Sequence, residues 1–591
     1  MADSTSGDLN GSFNDKKEST SIKPRVPSME EQSSTFGKSA IAVLLLSLLV
    51  YVYRGNFLGF RKQPQVVSLD GRYGFGRVSE PAVEFTIDTT KRDAIVEAFK
   101  HAWSAYERDA MGSDEYYPLS KKGSNLVDAG GIGYTVADAI DTMQIMGLQE
   151  EYQRARDWIA NNLTFERDGQ FNTFETTIRV LGGLLTAYHL SDEDPIFLEK
   201  AKDLADRLMP VFDTPSGLPR SLVNLAQKKG YDEPQMPNIV STAEAATLQL
   251  ELRYLSFLTG EDEYWDKAEG VRLTSELGRP GLNVVQVMRV IKATSLPSGL
   301  AAIYMSAETG VFLFSEIRLG SRGDSFYEYL LKQYLQTDKS EPMYLEMYRN
   351  AMEGIHTTLV HKGVNNGLIY TAEVHPDRLP DGSISWRLAP KQDHLVCFLG
   401  GSLMLGATTT GLVGTSVSVP PLPDELTETG QRDWKLGYEL IETCMDTHKT
   451  ATGLAPEIVH FYTAEDGDVS DKKRDWYIKG NENPAAPSYD ARPETVESLF
   501  LAYRLTGNQK YRDYGWQIFQ AIEKFCKVDE GGYTSILNVD DANSERLDKM
   551  ETFFLSETLK YLYLLFSDSS LLPLDKYVFN TEAHPLPIFS P

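Results

Sequence analysis

The chain has 591 residues, more than one ordinary core accounts for, although barrels run long as single domains; 41% hydrophobic and 24% charged residues are globular values. A formal net charge of −26 excludes a basic nucleic-acid footprint and suits cation binding or carbohydrate chemistry better. The three cysteines, Cys397, Cys444 and Cys526, are too few for a disulfide scaffold, fit no zinc spacing and leave any pairing open.

Residues 1–38 are rich in Ser, Asp, Lys and Glu and poor in large apolar residues, the composition of a disordered tail. Residues 39–53, SAIAVLLLSLLVYVY, are short for a span of ~20 residues. The polar region before them is too long for a signal peptide and no small-residue cleavage site follows, so they read as an uncleaved signal anchor. Lys and Arg flank both sides and do not set orientation. A short span suits a thin membrane such as that of the endoplasmic reticulum. Residues 54–84 read as a stem and 85–591 as the folded domain.

From residue 85 the pattern is helical. Thr90 to Asp93 form a capping box, and Ile95, Phe99, Ala102, Trp103 and Tyr106 share an apolar face. A unit then recurs: an apolar helix, a Gly or Ser-Asp turn, an aromatic, a more polar helix. It is seen at Gly147/Tyr152, Ser191/Phe197, Gly260/Tyr264 and Gly507/Tyr511. Stacked helical hairpins follow, with short β-prone runs such as Leu368–Val374 between them. Seven apolar helices begin near Asp138/Asp141, Glu175, Glu244, Asp324, His394, Glu494/Glu497 and Glu551/Glu557. Each acid alone serves the helix dipole; seven heads in a closed ring make one carboxylate-lined pocket.

Asp138 and Asp141 are three apart on one turn, and Glu175 and Arg179 stand at i, i+4 in a largely apolar helix, where an ion pair is costly unless satisfied. The chain closes on Tyr577–Pro587, which Pro585 and Pro587 keep from being helical. Its apolar Val578, Phe579, Leu586 and Ile588 predict burial, taking Thr581 and Glu582 inside with a need for polar partners. Acids in excess of bases suit hard-cation binding or glycoside hydrolysis by an acid and a base. There is no G-x-S-x-G, P-loop or dinucleotide fingerprint.

The motifs DAIDTM (138–143), FETTIRVLGGLLTAYHLS (174–191), RGDSFYEYLLKQYL (322–335), HLVCFL (394–399), GLAPEIVHF (453–461), RPETVESLF (492–500), ETLKYLYLLFSD (557–568) and FNTEAHPLP (579–587) resemble, in this order, the class I α-1,2-mannosidases of glycoside hydrolase family 47. The resemblance implies an all-α (α/α)7 barrel with small β-hairpins, plugged by the C-terminal segment. It implies Ca2+ on Thr581, with waters held by carboxylates such as Glu494, Glu497, Glu557 and Glu582. It implies inverting hydrolysis with Glu494 as base and Glu175 or Asp324 as acid. Arg179, Arg322, His394, Glu457, Arg492, Glu497, Glu557, Glu582 and Asp141 would bind sugar or orient the acids. An Arg at 322 resembles the endoplasmic-reticulum type that trims one mannose from Man9GlcNAc2; Golgi-type relatives carry a smaller apolar residue there. The resemblance also implies a Cys397–Cys444 disulfide, a free Cys526 and a lumenal sequon at Asn162; Asn10 would lie in the cytosol. Gly400 departs from the family's Pro and is expected to loosen its loop. The expected protein is a monomeric type II membrane protein of the endoplasmic reticulum, or alternatively of the Golgi, acting on high-mannose N-glycans. The rival is a lectin-like degradation factor on the same barrel.

Overall fold

Among the described residues, seven largely buried helices stand in an inner ring: Tyr134–Met146, Gly182–Leu190, Gln249–Thr259, Asp324–Gln336, Phe398–Thr409, Glu494–Thr506 and Leu559–Phe566. Seven others form an outer layer: Thr89–Ala110, Gln149–Asn162, Pro195–Leu208, Asp262–Glu269, Pro342–Gly354, Glu428–Thr447 and Gln509–Phe525. Each inner helix packs on the next, and Leu559–Phe566 closes the ring against Tyr134–Met146. This is the expected (α/α)7 barrel. The computed structural model describes residues 71–77, 83–269, 287–294, 296, 298–480 and 488–591.

The sequence signals act locally as read, with three corrections. Gly147, Gly260 and Gly507 end inner helices in the left-handed conformation, with φ of 71°, 70° and 63°. The first helix, however, is capped by Asp88, whose carboxylate accepts from Lys91 N at 3.2 Å, and not by Thr90, which is already helical. Gly400 lies inside Phe398–Thr409, not in a loose loop. A Cβ there would meet Ile441 Cγ1 at 2.7 Å, so the glycine permits a close crossing with Glu428–Thr447. The predicted stem also ends earlier than expected. Phe75 is buried beside Trp434, and the indole Nε1 donates to the Tyr73 carbonyl at 2.8 Å, so residues 71–77 pack on the barrel.

The anchor expected at 39–53 lies outside the described residues, as does Asn10. No helix among the described residues is long and apolar enough to cross a membrane. Cys397 and Cys444 form the disulfide, joining the turn before Phe398–Thr409 to the outer helix Glu428–Thr447. Cys526 is free and buried, and burial pushes its thiol up to about 12. Thiol titration of the folded protein at neutral pH is therefore expected to find no reactive group among Cys397, Cys444 and Cys526, and one after unfolding without reductant. Asn162 is exposed at the end of its helix.

The C-terminal segment is a β-hairpin, Tyr577–Phe579 against Pro585–Pro587, set into the barrel. Phe579 packs on Phe500 and Tyr561. Val578, Phe579 and Leu586 are buried as expected, whereas Ile588 is half-buried. Asn580 organises the turn. Its Oδ1 accepts from the N–H of Glu582 and of His584, both at 2.9 Å; its Nδ2 donates to the Ile178 carbonyl and to Glu251 Oε1 at 2.9 and 2.7 Å. A fully buried amide with all four bonds made fixes the turn's depth.

Candidate active site

Four structural devices aim acids into one cleft. Asn172 caps Glu175, accepting its N–H at 2.8 Å, and the chain then runs through a π-turn, Thr176–Leu181. Asp324 and Glu494 each open an inner helix, where the dipole favours a carboxylate. Glu557 sits in a second π-turn, Phe554–Thr558. The C-terminal hairpin supplies Thr581 and Glu582 from below. Such π-turns are frequent at functional sites. Nothing in the sequence pattern distinguishes them from α-helix.

The cleft has a volume of about 270 Å³, and Glu175, Arg179, Arg322, Asp324, Arg492, Glu494, Glu557, Thr581 and Glu582 all line it. Phe553, which the sequence reading missed, forms part of the wall between two guanidinium groups, 5.7 Å from that of Arg179 and 5.3 Å from that of Arg492. Glu244 was read only as a helix head; here it lines the cleft and accepts from Arg322 at 3.4 Å. Arg322 itself has φ of 70°, a left-handed conformation uncommon outside glycine, and its guanidinium lies over Tyr304.

The cleft is over-supplied with buried acids. Arg179 donates to Glu175 Oε2 at 2.9 Å and to Glu582 Oε2 at 2.5 Å. Arg492 donates to Glu457 Oε2 at 2.8 Å and stands 3.9 Å from Glu494. Burial, together with Glu328 and Asp393, pushes Asp324 up to about 7. Burial pushes Glu494 up to about 7 against the opposing charge of Arg492. Glu582 is pushed up to about 8 by burial, against Arg179 and with help from Asp138 and Glu175. Burial and the neighbouring Glu582 and Glu494 hold Glu557 well above the carboxylate range. The Glu494 Oε2 atom is buried and has no hydrogen-bond partner among the described residues.

Around Thr581 the acids converge further. Its hydroxyl donates to Glu328 Oε2 at 3.0 Å; Lys332 pairs with Glu328 and stands 3.4 Å from Glu497. Burial and the Glu328 charge push Glu497 up to about 7 despite Lys332. Among the described residues no three His, Cys, Asp or Glu side chains are arranged to hold a metal directly.

Four expected residues lie off the cleft wall. His394 is buried beneath it, with Nε2 3.0 Å from Thr495 Oγ1 and 4.0 Å from Glu494. Burial, His448 and Arg492 hold it neutral, well below the usual histidine range. Glu457 orients Arg492, and Glu497 lies under Glu494, beside Lys332. Asp141 needs correcting outright. It is fully buried and engaged by Lys560 at 2.6 Å and His584 at 3.0 Å, so it offers nothing to a sugar.

A family model described as glycosyl hydrolase family 47 matches residues 98–588. The chain belongs to that family. This family 47 chain is 46% identical over 523 residues to a mannosyl-oligosaccharide 1,2-alpha-mannosidase of Arabidopsis thaliana, covering 84% of this chain and 79% of that one. It is 43% identical over 509 residues to the endoplasmic reticulum mannosyl-oligosaccharide 1,2-alpha-mannosidase of Schizosaccharomyces pombe, covering 84% and 90%. Among solved structures it matches an alpha-1,2-mannosidase from Trichoderma reesei with a TM-score of 0.71 and 27% identity, covering 85% of this chain and all of that one. It is a glycoside hydrolase.

Proposed function

We propose that the chain is a calcium-dependent mannosyl-oligosaccharide 1,2-alpha-mannosidase that removes a terminal α-1,2-linked mannose from Man9GlcNAc2 with inversion. The observation that carries this is the cleft: buried acids held by two arginines, above a threonine surrounded by further acids. The excess of buried carboxylates around Thr581, and the unpartnered Oε2 of Glu494, fit a hard cation. Thr581 would hold it, with Glu494, Glu497, Glu557 and Glu582 binding its waters. When bound, the ion supplies positive charge among these carboxylates and a seat for sugar hydroxyls.

The residues then divide the work. Glu494 takes a proton from water. Arg492, fixed by Glu457, biases Glu494 toward its ionised form. Protonation of the leaving oxygen falls to Asp324, held protonated up to about 7, or to Glu175, held by Arg179. The pH profile separates them. A bell-shaped kcat/KM is expected, rising as Glu494 ionises and falling as the acid loses its proton. Asp324→Asn removes the alkaline limb if Asp324 is the acid. If that limb persists with activity, Glu175 holds the role.

Purified protein is expected to release one mannose from Man9GlcNAc2, and none after chelation until calcium is restored. No release at all supports the lectin reading; loss of several mannoses at short times supports the Golgi type. Arg322→Leu is expected to extend trimming to further α-1,2 mannoses, because the guanidinium held by Glu244 over Tyr304 fills the cleft beside Glu175 and Asp324. If mutant and parent stop at the same glycan, that role falls. The names of the relatives support residence in the endoplasmic reticulum, and the apolar run at 39–53 supports a type II anchor.

A further inference from the structure

Behind the cleft lies a buried charge cluster that no lining residue explains. The His584 ring is fully buried between two carboxylates, with Nδ1 3.0 Å from Asp141 Oδ2 and Nε2 3.2 Å from Asp138 Oδ1. Carboxylates only accept, so both nitrogens donate and the ring is a cation. Burial opposes that state, but Asp141 and Asp138 outweigh it and raise the imidazole above its ordinary value. Lys560 secures Asp141 at 2.6 Å and donates to the Ala583 carbonyl at 2.9 Å. Ser556 Oγ donates to Asp138 Oδ2 at 3.0 Å. The same Oδ2 stands 3.7 Å from Arg179 Nη1, whose other partners are Glu175, Glu582 and Thr552.

Docking a tail does not require this chemistry, since packed apolar residues do it as well as buried ion pairs. A charge fixed beside a guanidinium does call for it, and Asp138 is that charge beside Arg179. We propose that His584 is a positioning residue. By fixing Asp138 it sets Arg179, and through Arg179 the placement of Glu175 and Glu582 in the cleft. This rests on the mannosidase reading of that cleft.

The test uses the full chain and α-1,2-linked mannobiose. His584→Gln is expected to lower kcat roughly 10- to 100-fold with KM little changed, the scale of a small misplacement. Asp138→Asn keeps the volume and an acceptor for His584 while removing the charge that faces Arg179. It is expected to give a similar loss, and it carries the test if His584→Gln folds poorly. Adding Arg179→Lys to either variant is expected to cost nothing beyond Arg179→Lys alone, because all act through one element. Losses that multiply, or a lowered melting temperature with unchanged kcat, overturn the positioning role and leave His584 a clamp for the tail. A parent that releases no mannose overturns the mannosidase reading and this proposal together.

Discussion

Glu494→Gln is expected to lower kcat roughly 10²- to 10⁴-fold, the contribution typical of a general base, while Man9GlcNAc2 still binds. The substitution keeps shape and volume and removes only basicity. Glu494 opens its helix with Arg492 at 3.9 Å and the neutral His394 at 4.0 Å, and its Oε2 is a buried acceptor that no donor among the described residues reaches. An acceptor left free in a buried cleft is available to a water or a hydroxyl. Turnover and calorimetric binding, measured side by side, check this. Parent-like turnover removes Glu494 from the base role; loss of binding together with turnover makes it a sugar contact.

The largest effect on stability is expected at Lys560→Met. The ammonium is fully buried, and its partners are Asp141 and the Ala583 carbonyl. Methionine fills the space of the stem but leaves Asp141 with His584 alone and the carbonyl with no donor. Breaking a buried pair from one side costs about 3–5 kcal/mol. Adding Asp141→Asn to the same chain is expected to recover part of the loss, since the uncompensated charge is then gone. Denaturant unfolding of the parent, the single and the double variant checks this. A single variant as stable as the parent means the tail is held without this pair, by the Asn580 bonds and the packing of Phe579 on its aromatic neighbours.

The barrel was legible because its evidence is periodic. Gly147, Gly260 and Gly507 punctuate the helices, and an acid or His394 stands near each inner helix start. The tail was legible for a different reason: Pro585 and Pro587 forbid helix while Phe579 and Leu586 demand burial. What stayed hidden was set by three-dimensional pairing. The spacing of Asp138 and Asp141 suggested one shared role at the pocket. Yet the first reaches Arg179, and the second is enclosed by Lys560 and His584 from elements more than four hundred residues away in the chain. Phe553 carried no signal, because an aromatic in an apolar stretch reads as core. The π-turns at Thr176 and Phe554 leave the apolar pattern nearly intact, so no periodicity exposes them.

The C-terminal hairpin also orders events in time. Thr581, Glu582 and His584 follow all seven inner helices in the chain, so a ribosome makes them last. Until residues 577–587 have cleared the ribosomal tunnel, Arg179 lacks Glu582, Asp138 lacks His584, and Asn580 has not set its four bonds. On the proposed mechanism a nascent barrel is thus chemically silent, and competence arrives in one late step. A chain cut short before Asn580 would lack the Glu582 partner of Arg179 and the His584 partner of Asp138.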